Sequence, residues 1–183
     1  MPDSAPRDER LRTAAFTGHR DYRGSAPGEL RRAVQALYAE GVRTFLCGMA
    51  TGFDLAAAEA VLALRSACPG LRLVAVVPFT GQSARFGSEA RSDYDRLLAA
   101  ADEAILLADS YSTGCYHRRN DFLVSHAAHL VAWYDGRKGG TQYTFQQALR
   151  RGLHVVNLAP GMASQSELFG PLPPPSPPLR CRP

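Results

Sequence analysis

The sequence of 183 residues predicts a single α/β domain in three layers, with a mostly parallel sheet of about six strands between helices. Three observations carry this. Short apolar, strand-like runs alternate with helical patterns of ~10 to 15 residues, which is the order of βαβ units. Glycine, proline or a polar loop closes the runs at their carboxyl ends. Hydrophobic residues make up 45% and charged residues 21%, a composition that builds a core rather than a disordered chain.

The elements follow in order. Thr13–Thr17 is a short strand, followed by Gly18. Glu29–Glu40 places Leu30, Val34, Leu37 and Tyr38 at helical spacing, and Gly41 ends it as a C-cap. Arg43–Cys47 is the second strand, ending at Gly48. Asp54–Ala67 is an Ala-rich helix with Asp54 placed to serve as its N-cap. Leu71–Val77 is a β-branched run stopped by Pro78. Ser88–Ala101 reads as a polar helix and Glu103–Ala108 as the fourth strand. Asn120–Ala127 is a short helix after a loop containing Gly114. Leu130–Tyr134 is the fifth strand, Thr144–Arg151 a helix closed by Gly152, and Leu153–Leu158 the sixth strand. Right-handed crossovers put helices on both faces. Ligands of such sheets bind at the carboxyl ends of the strands, where strand order reverses.

Residues 1–12 read as a disordered arm, residues 13–159 as the folded domain, and residues 160–183 as a Pro-rich tail. The tail favours extended polyproline II and is expected to be passive; docking onto a proline-reading protein partner is the alternative. No apolar run reaches the ~18 to 20 residues of a membrane span, and the amino terminus lacks the apolar segment of a signal peptide. A soluble cytoplasmic protein without membrane contact is expected.

The formal net charge is +4, and Lys138 is the one lysine among 21 basic residues. Arginine in excess suits phosphate, because its planar guanidinium gives two hydrogen bonds to phosphate oxygens. The arginines are scattered rather than blocked, so nucleic acid is an unlikely partner on this pattern. The four cysteines, Cys47, Cys68, Cys115 and Cys181, show no CxxC spacing, and no histidine stands at zinc-ligand distance from a cysteine pair. Reduced thiols, no metal and no cofactor are expected.

Four loops after strands carry the candidate chemistry. Gly18-His19-Arg20 combines close backbone approach with two cationic donors. Gly48 to Asp54, with Gly52, feeds a helix N-terminus, whose free N–H groups and dipole favour an anion; it lacks the Lys of a Walker loop. Facing a ligand, Asp54 would meet ribose hydroxyls rather than phosphate. Pro78-Phe79 with Gln82 follows the third strand, with Phe79 either a base-stacking ring or core. Gly139-Gly140-Thr141 looks like a phosphate cradle before the last helix. Between them, Arg119-Asn120 pairs a cation with a polar orienting group.

Together these segments resemble the SLOG superfamily, which includes the cytokinin-activating LOG proteins and the DprA-like proteins, and are most similar to its YpsA-like branch. The likeness runs from Gly18-His19-Arg20 through Gly48, Gly52-Phe53-Asp54, Ala57-Ala58-Glu59, Pro78-Phe79 and Gln82. It continues with Tyr94, Leu97, Ala101-Asp102, Tyr111, Gly114-Cys115-Tyr116, Arg119-Asn120, Tyr134-Asp135-Gly136 and Gly139-Gly140-Thr141. It implies a Rossmann-like sheet with a nucleotide-type pocket lined by these loops. Some members hydrolyse the N-glycosidic bond of nucleoside monophosphates, with a Glu three residues after the Thr of a PGGxGT motif. Here that position is Thr144, and Arg137-Lys138 replace the Pro-Gly approach. A hydroxyl without a partner is no general base near neutral pH.

The leading expectation is therefore a sensor or regulatory module that binds a nucleotide or nucleotide-derived phosphate ligand. Arg20 and Arg119 would neutralise phosphate, Asn120 and Gln82 would orient sugar or base, and Gly18, Gly48, Gly52, Gly140 and Thr141 would give room and donors. The alternative is an N-glycosidase, for which Asp54, Glu59, Asp121, Asp135 and His19 are the acid–base candidates. DprA-like single-stranded DNA binding is the weaker third. Pairing of two copies through helices is compatible with the fold.

Overall fold

The computed structural model describes residues 6–161. Strands β1 (Thr13–Gly18), β2 (Thr44–Cys47), β3 (Arg72–Val77), β4 (Glu103–Leu106), β5 (His129–Trp133) and β6 (His154–Asn157) form one sheet in the order β4-β3-β2-β1-β5-β6. All five pairings are parallel. This is a Rossmann-like arrangement in which β1 is central and the chain reverses its direction of travel across the sheet between β4 and β5.

Alternation along the strands builds the three layers. Ala14 and Phe16, Phe45 and Cys47, and Leu73 and Ala75 face one side, with α2 (Pro27–Ala39), α3 (Phe53–Ala63) and α4 (Ser88–Ala100). Ala15, Leu46, Val74 and Val76 face the other, with α5 (Cys115–His126) and α6 (Gly140–Arg150). Helix α3 buries Ala57, Ala58 and Ala60, and these small side chains let it lie close on the sheet. Its first turn is thereby held under the ends of β1 and β2.

The expected arm is corrected for part of its length. Helix α1 (Arg7–Leu11) falls inside it, and its ties explain the order there. The Ala128 N–H donates to the Arg10 carbonyl at 3.0 Å, and the Thr13 hydroxyl to the Glu9 carbonyl at 2.8 Å. Two helices begin well before their expected starts, α5 at Cys115 and α6 at Gly140, and α3 stops at Ala63 rather than Ala67. A 3₁₀ turn, Gln82–Arg85, follows β3. The tail lies outside the described residues, apart from Pro160 and Gly161. No helix among the described residues is long and apolar enough to cross a membrane.

Candidate functional site

A cleft of about 390 Å³ opens at the carboxyl ends of β1 and β5, the point where strand order reverses. Helices α3, α5 and α6 begin around it. Each starts after a glycine at positive φ (Gly52, Gly114 and Gly139), so no side chain caps these helix ends. The first N–H groups of α6, on Gly140 and Thr141, have no intrahelical acceptor, and both residues line the cleft. Three helix dipoles thus turn their positive ends toward one place.

The floor is a buried polar cluster centred on Arg119, which is 5% exposed. Its Nη1 donates to the Gly48 carbonyl and lies 3.5 Å from Asp54 Oδ2; its Nε donates to Asn120 Oδ1 at 2.8 Å. Among the described residues no acceptor takes its Nη2. Asp54 is not the N-cap of α3. It sits in the first turn, and its carboxylate accepts the Ala50 N–H at 3.2 Å, clamping the preceding loop. Burial raises the Asp54 carboxyl above its usual range, against the opposing pull of Arg119 and, further off, Arg20. Behind it, Cys47 donates its thiol to the Asp54 carbonyl at 3.2 Å, and burial pushes that thiol well up.

Gln82 braces the same loop from below. Its Nε2 donates to the Gly48 and Met49 carbonyls, both at 3.1 Å, which holds Met49 at its unusual φ of 55°. The glycines serve this construction. A Cβ on Gly48 would overlap the Arg119 guanidinium, one on Gly18 the Phe53 ring, and one on Gly52 the carbonyls of His19 and Arg20. The room expected for a phosphate at Gly18, Gly48 and Gly52 is therefore filled by protein atoms. Gly18 meets the cleft through its backbone, while Gly48 and Gly52 lie behind its wall.

The mouth is different in kind. Arg20 is exposed, has no carboxylate partner among the described residues, and holds its guanidinium 5.0 Å from the centre of the Tyr116 ring. Phe79 meets Tyr116 and Tyr111 edge-on at 5.8 and 5.4 Å; Phe79 is buried and Tyr111 is 63% exposed. Across the cleft, His19 Nε2 lies 2.7 Å from Asp135 Oδ1 without hydrogen-bond alignment. Arg137 links Asp135 to Asp21, reaching Asp21 through both Nη atoms at 2.8 and 3.1 Å. Desolvation works to raise the Asp135 carboxyl, but hydrogen bonds from the Arg137 backbone and side chain and the nearby His19 keep it low.

Of the residues expected at the site, Gly18, His19, Arg20, Asp54, Arg119, Asn120, Gly140 and Thr141 line the cleft. Gly48, Gly52, Pro78, Gln82 and Gly139 do not; Gly48 and Gln82 support Arg119 and its loop, and Gly139 precedes the α6 terminus. Glu59 is removed from the site, on the exposed side of α3 where it accepts from Arg96 at 2.7 Å. Asp121 is occupied by the Tyr143 hydroxyl at 2.7 Å. Thr144 is buried and donates to the Gly140 carbonyl at 2.9 Å. Sequence reasoning missed His117, which lines the cleft edge-on to Tyr143; its only signal was its place beside Tyr116 and Arg119.

Comparison with known proteins bears on the family and the fold. A family model described as the YspA SLOG family matches residues 27–155. The SPbeta prophage-derived protein YoqJ of Bacillus subtilis is 29% identical over 110 residues, covering 54% of this chain and 64% of that protein. A UPF0398 protein of Halalkalibacterium halodurans is 31% identical over 121 residues, covering 64% of each. The chain thus spans a little under two-thirds of the length of these relatives. Among solved structures, DNA processing protein A (DprA) from Streptococcus pneumoniae aligns with a TM-score of 0.58 at 18% identity, covering 79% of this chain and 49% of that one. DprA from Helicobacter pylori, described for its single-stranded DNA binding mode, aligns with a TM-score of 0.60 at 15% identity, covering 86% and 69%. At these identities the likeness to the two structures is one of fold.

Proposed function

The chain belongs to the YspA SLOG family, and on that premise we propose that its cleft binds the phosphate of a nucleotide or nucleotide-derived small molecule and senses it without turnover. The observation that carries this reading is Arg20. An exposed guanidinium with no carboxylate partner among the described residues, held against an aromatic ring at the mouth of a cleft, is a cation kept ready for an anion. The N-termini of α5 and α6 and the remaining Nη2 of Arg119 add donors that favour the same charge.

Hydrolysis finds less support. A glycosidase needs a carboxylate free to act on the sugar, and Asp54 is committed to Arg119 and the Ala50 N–H. Asp121 and Glu59 have partners of their own, and Asp135 is bound by Arg137. The test is a thermal-shift screen against nucleoside monophosphates, NAD and ADP-ribose, followed by chromatography of each mixture. A ligand at 100 times its dissociation constant stabilises by about 2.7 kcal/mol. The expected result is a shift with the ligand intact, lost in Arg20→Ala. Free base in the chromatogram would make the protein a glycosidase, with His19 and Asp135 the first residues to mutate. No shift with any of these ligands would refute the nucleotide reading.

A second reading rests on the aromatic rim. Exposed Tyr111 and half-buried Tyr116 around buried Phe79, next to Arg20, form an aromatic rim of the kind on which unpaired bases stack. The fold neighbour described for single-stranded DNA binding supports it too, and the expectation against nucleic acid loses its basis there. Fluorescence anisotropy with a single-stranded oligonucleotide at low and high salt tests it. Binding that weakens in Tyr111→Ala and with salt favours this reading, and no binding at low salt ends it.

A further inference from the structure

At the opposite end of the sheet from the cleft, three side chains from distant parts of the sequence meet. His129 opens β5, His154 opens β6, and the two are directly paired in the parallel register. Their rings stand edge-on with centres 5.7 Å apart. Glu40, at the carboxyl end of α2, completes the group, and one donor atom from each residue lies within 4.8 Å of the others. Sequence spacing concealed this set, because the β5–β6 pairing, not a local motif, joins the two histidines.

A second observation sets the group apart from a chance cluster. His129 Nε2 faces the Leu11 carbonyl at 3.3 Å, and the other ring nitrogen, Nδ1, is buried with no hydrogen-bond partner among the described residues. Donation from Nε2 to a carbonyl fixes the tautomer and leaves Nδ1 with a lone pair and nothing to receive it. A backbone carbonyl behind one imidazole nitrogen is how metal-bound histidines are held. An orphaned buried acceptor is otherwise costly, by about 1–3 kcal/mol.

We propose that Glu40, His129 and His154 bind a divalent transition-metal ion of the zinc class, tying α2 to β5 and β6. Two imidazoles and a carboxylate are a zinc donor set, with a fourth position left for water. Tetrahedral zinc with bonds of about 2.0–2.1 Å needs donors roughly 3.3 Å apart. The donors close that distance by side-chain rotation, for which exposed Glu40 is free. No binding reaction at the cleft is involved, so the two sites are separable by experiment.

The test uses the tag-free full chain, stripped with EDTA and titrated with zinc by calorimetry and with cobalt(II) by visible absorption. One zinc per chain is expected, with the cobalt form showing the intense d–d bands of tetrahedral nitrogen and oxygen ligation. His154→Ala at a half-buried position and Glu40→Gln at an exposed one should each weaken zinc binding about tenfold or more while their far-ultraviolet spectra stay native. His129→Asn should do the same, and the other two variants decide the matter if it folds poorly. Cys181→Ser is the control for a thiol site and should bind as the parent does. Absence of stoichiometric zinc, uptake undiminished in both His154→Ala and Glu40→Gln, or uptake that disappears with Cys181 would each overturn the proposal.

Discussion

Replacing Arg119 with methionine removes the cation from the buried cluster while keeping an apolar stem of similar length. Three bonds go at once: those to the Gly48 carbonyl, to Asn120 and to Asp54. What remains is a carboxylate 4% exposed, with the Ala50 N–H as its one close hydrogen-bond donor among the described residues. Removing one partner of a buried ion pair costs about 3–5 kcal/mol. For a domain of this size that is a fall in melting temperature of roughly 6–20 °C. The sign with pH follows from Asp54, whose carboxyl is raised in the folded protein and rises further without Arg119. Its charge therefore opposes folding above the unfolded value of about 3.9, and protonation relieves this. The deficit of Arg119→Met relative to the parent should be greatest where Asp54 is ionised in both proteins and shrink as pH falls through the folded Asp54 pKa. Adding Asp54→Asn should recover part of the loss and remove that pH dependence. Urea unfolding of the parent, Arg119→Met, Asp54→Asn and the double variant, at neutral and mildly acid pH, measures each quantity. A loss below about 1 kcal/mol, or a double variant no more stable than Arg119→Met, would refute the account of the floor as a mutually dependent charge pair.

Gly52→Ala forces a Cβ into the carbonyls of His19 and Arg20 at a φ of 79°, and should destabilise by at least about 2 kcal/mol in a denaturant titration. Gln82→Leu removes both donors from the Gly48 and Met49 carbonyls; a loss of about 1–3 kcal/mol is expected, with a weaker nucleotide shift because the Arg119 loop is no longer braced. Arg20→Ala should leave stability within about 0.5 kcal/mol of the parent and yet abolish the nucleotide-induced thermal shift. Glu59→Gln should change neither by more than about 0.5 kcal/mol, since its bond to Arg96 is exposed.

The contrast between Asp54 and Glu59 shows what periodicity carries and what it leaves out. Both stand on α3 in the stretch that resembles the family, yet five residues turn a helix by about 500°, so the two point to nearly opposite sides. Asp54 is buried under the sheet ends and Glu59 is exposed. The strands were readable because apolar, β-branched runs such as Leu73–Val77 have few other uses. The starts of α5 and α6 were not readable, because glycine caps them where serine or aspartate would have signalled a helix. Their first turns, rich in Gly, Cys, Tyr and Arg, have no apolar stripe to mark them. Arg20 and Arg119 looked alike in sequence. Burial separates them, leaving Arg119 to hold the loop and Arg20 to face outward. At Gly18, Gly48 and Gly52 the missing side chains admit Phe53, Arg119 and two carbonyls, a packing role that the sequence pattern does not distinguish from room for a ligand.

Strand β1 takes β2 as one neighbour and β5 as the other, and β5 begins more than a hundred residues later. During synthesis, β1 to β4 can therefore join in the order in which they emerge, each to the strand before it. One edge of the central strand stays open throughout that time, and the face that carries Ala15 has no cover from α5 or α6. An uncovered edge invites pairing with another chain. Until β5 has left the ribosome the nascent protein has neither its cleft nor protection against self-association, so slow translation between residues 107 and 129 would lengthen the vulnerable interval.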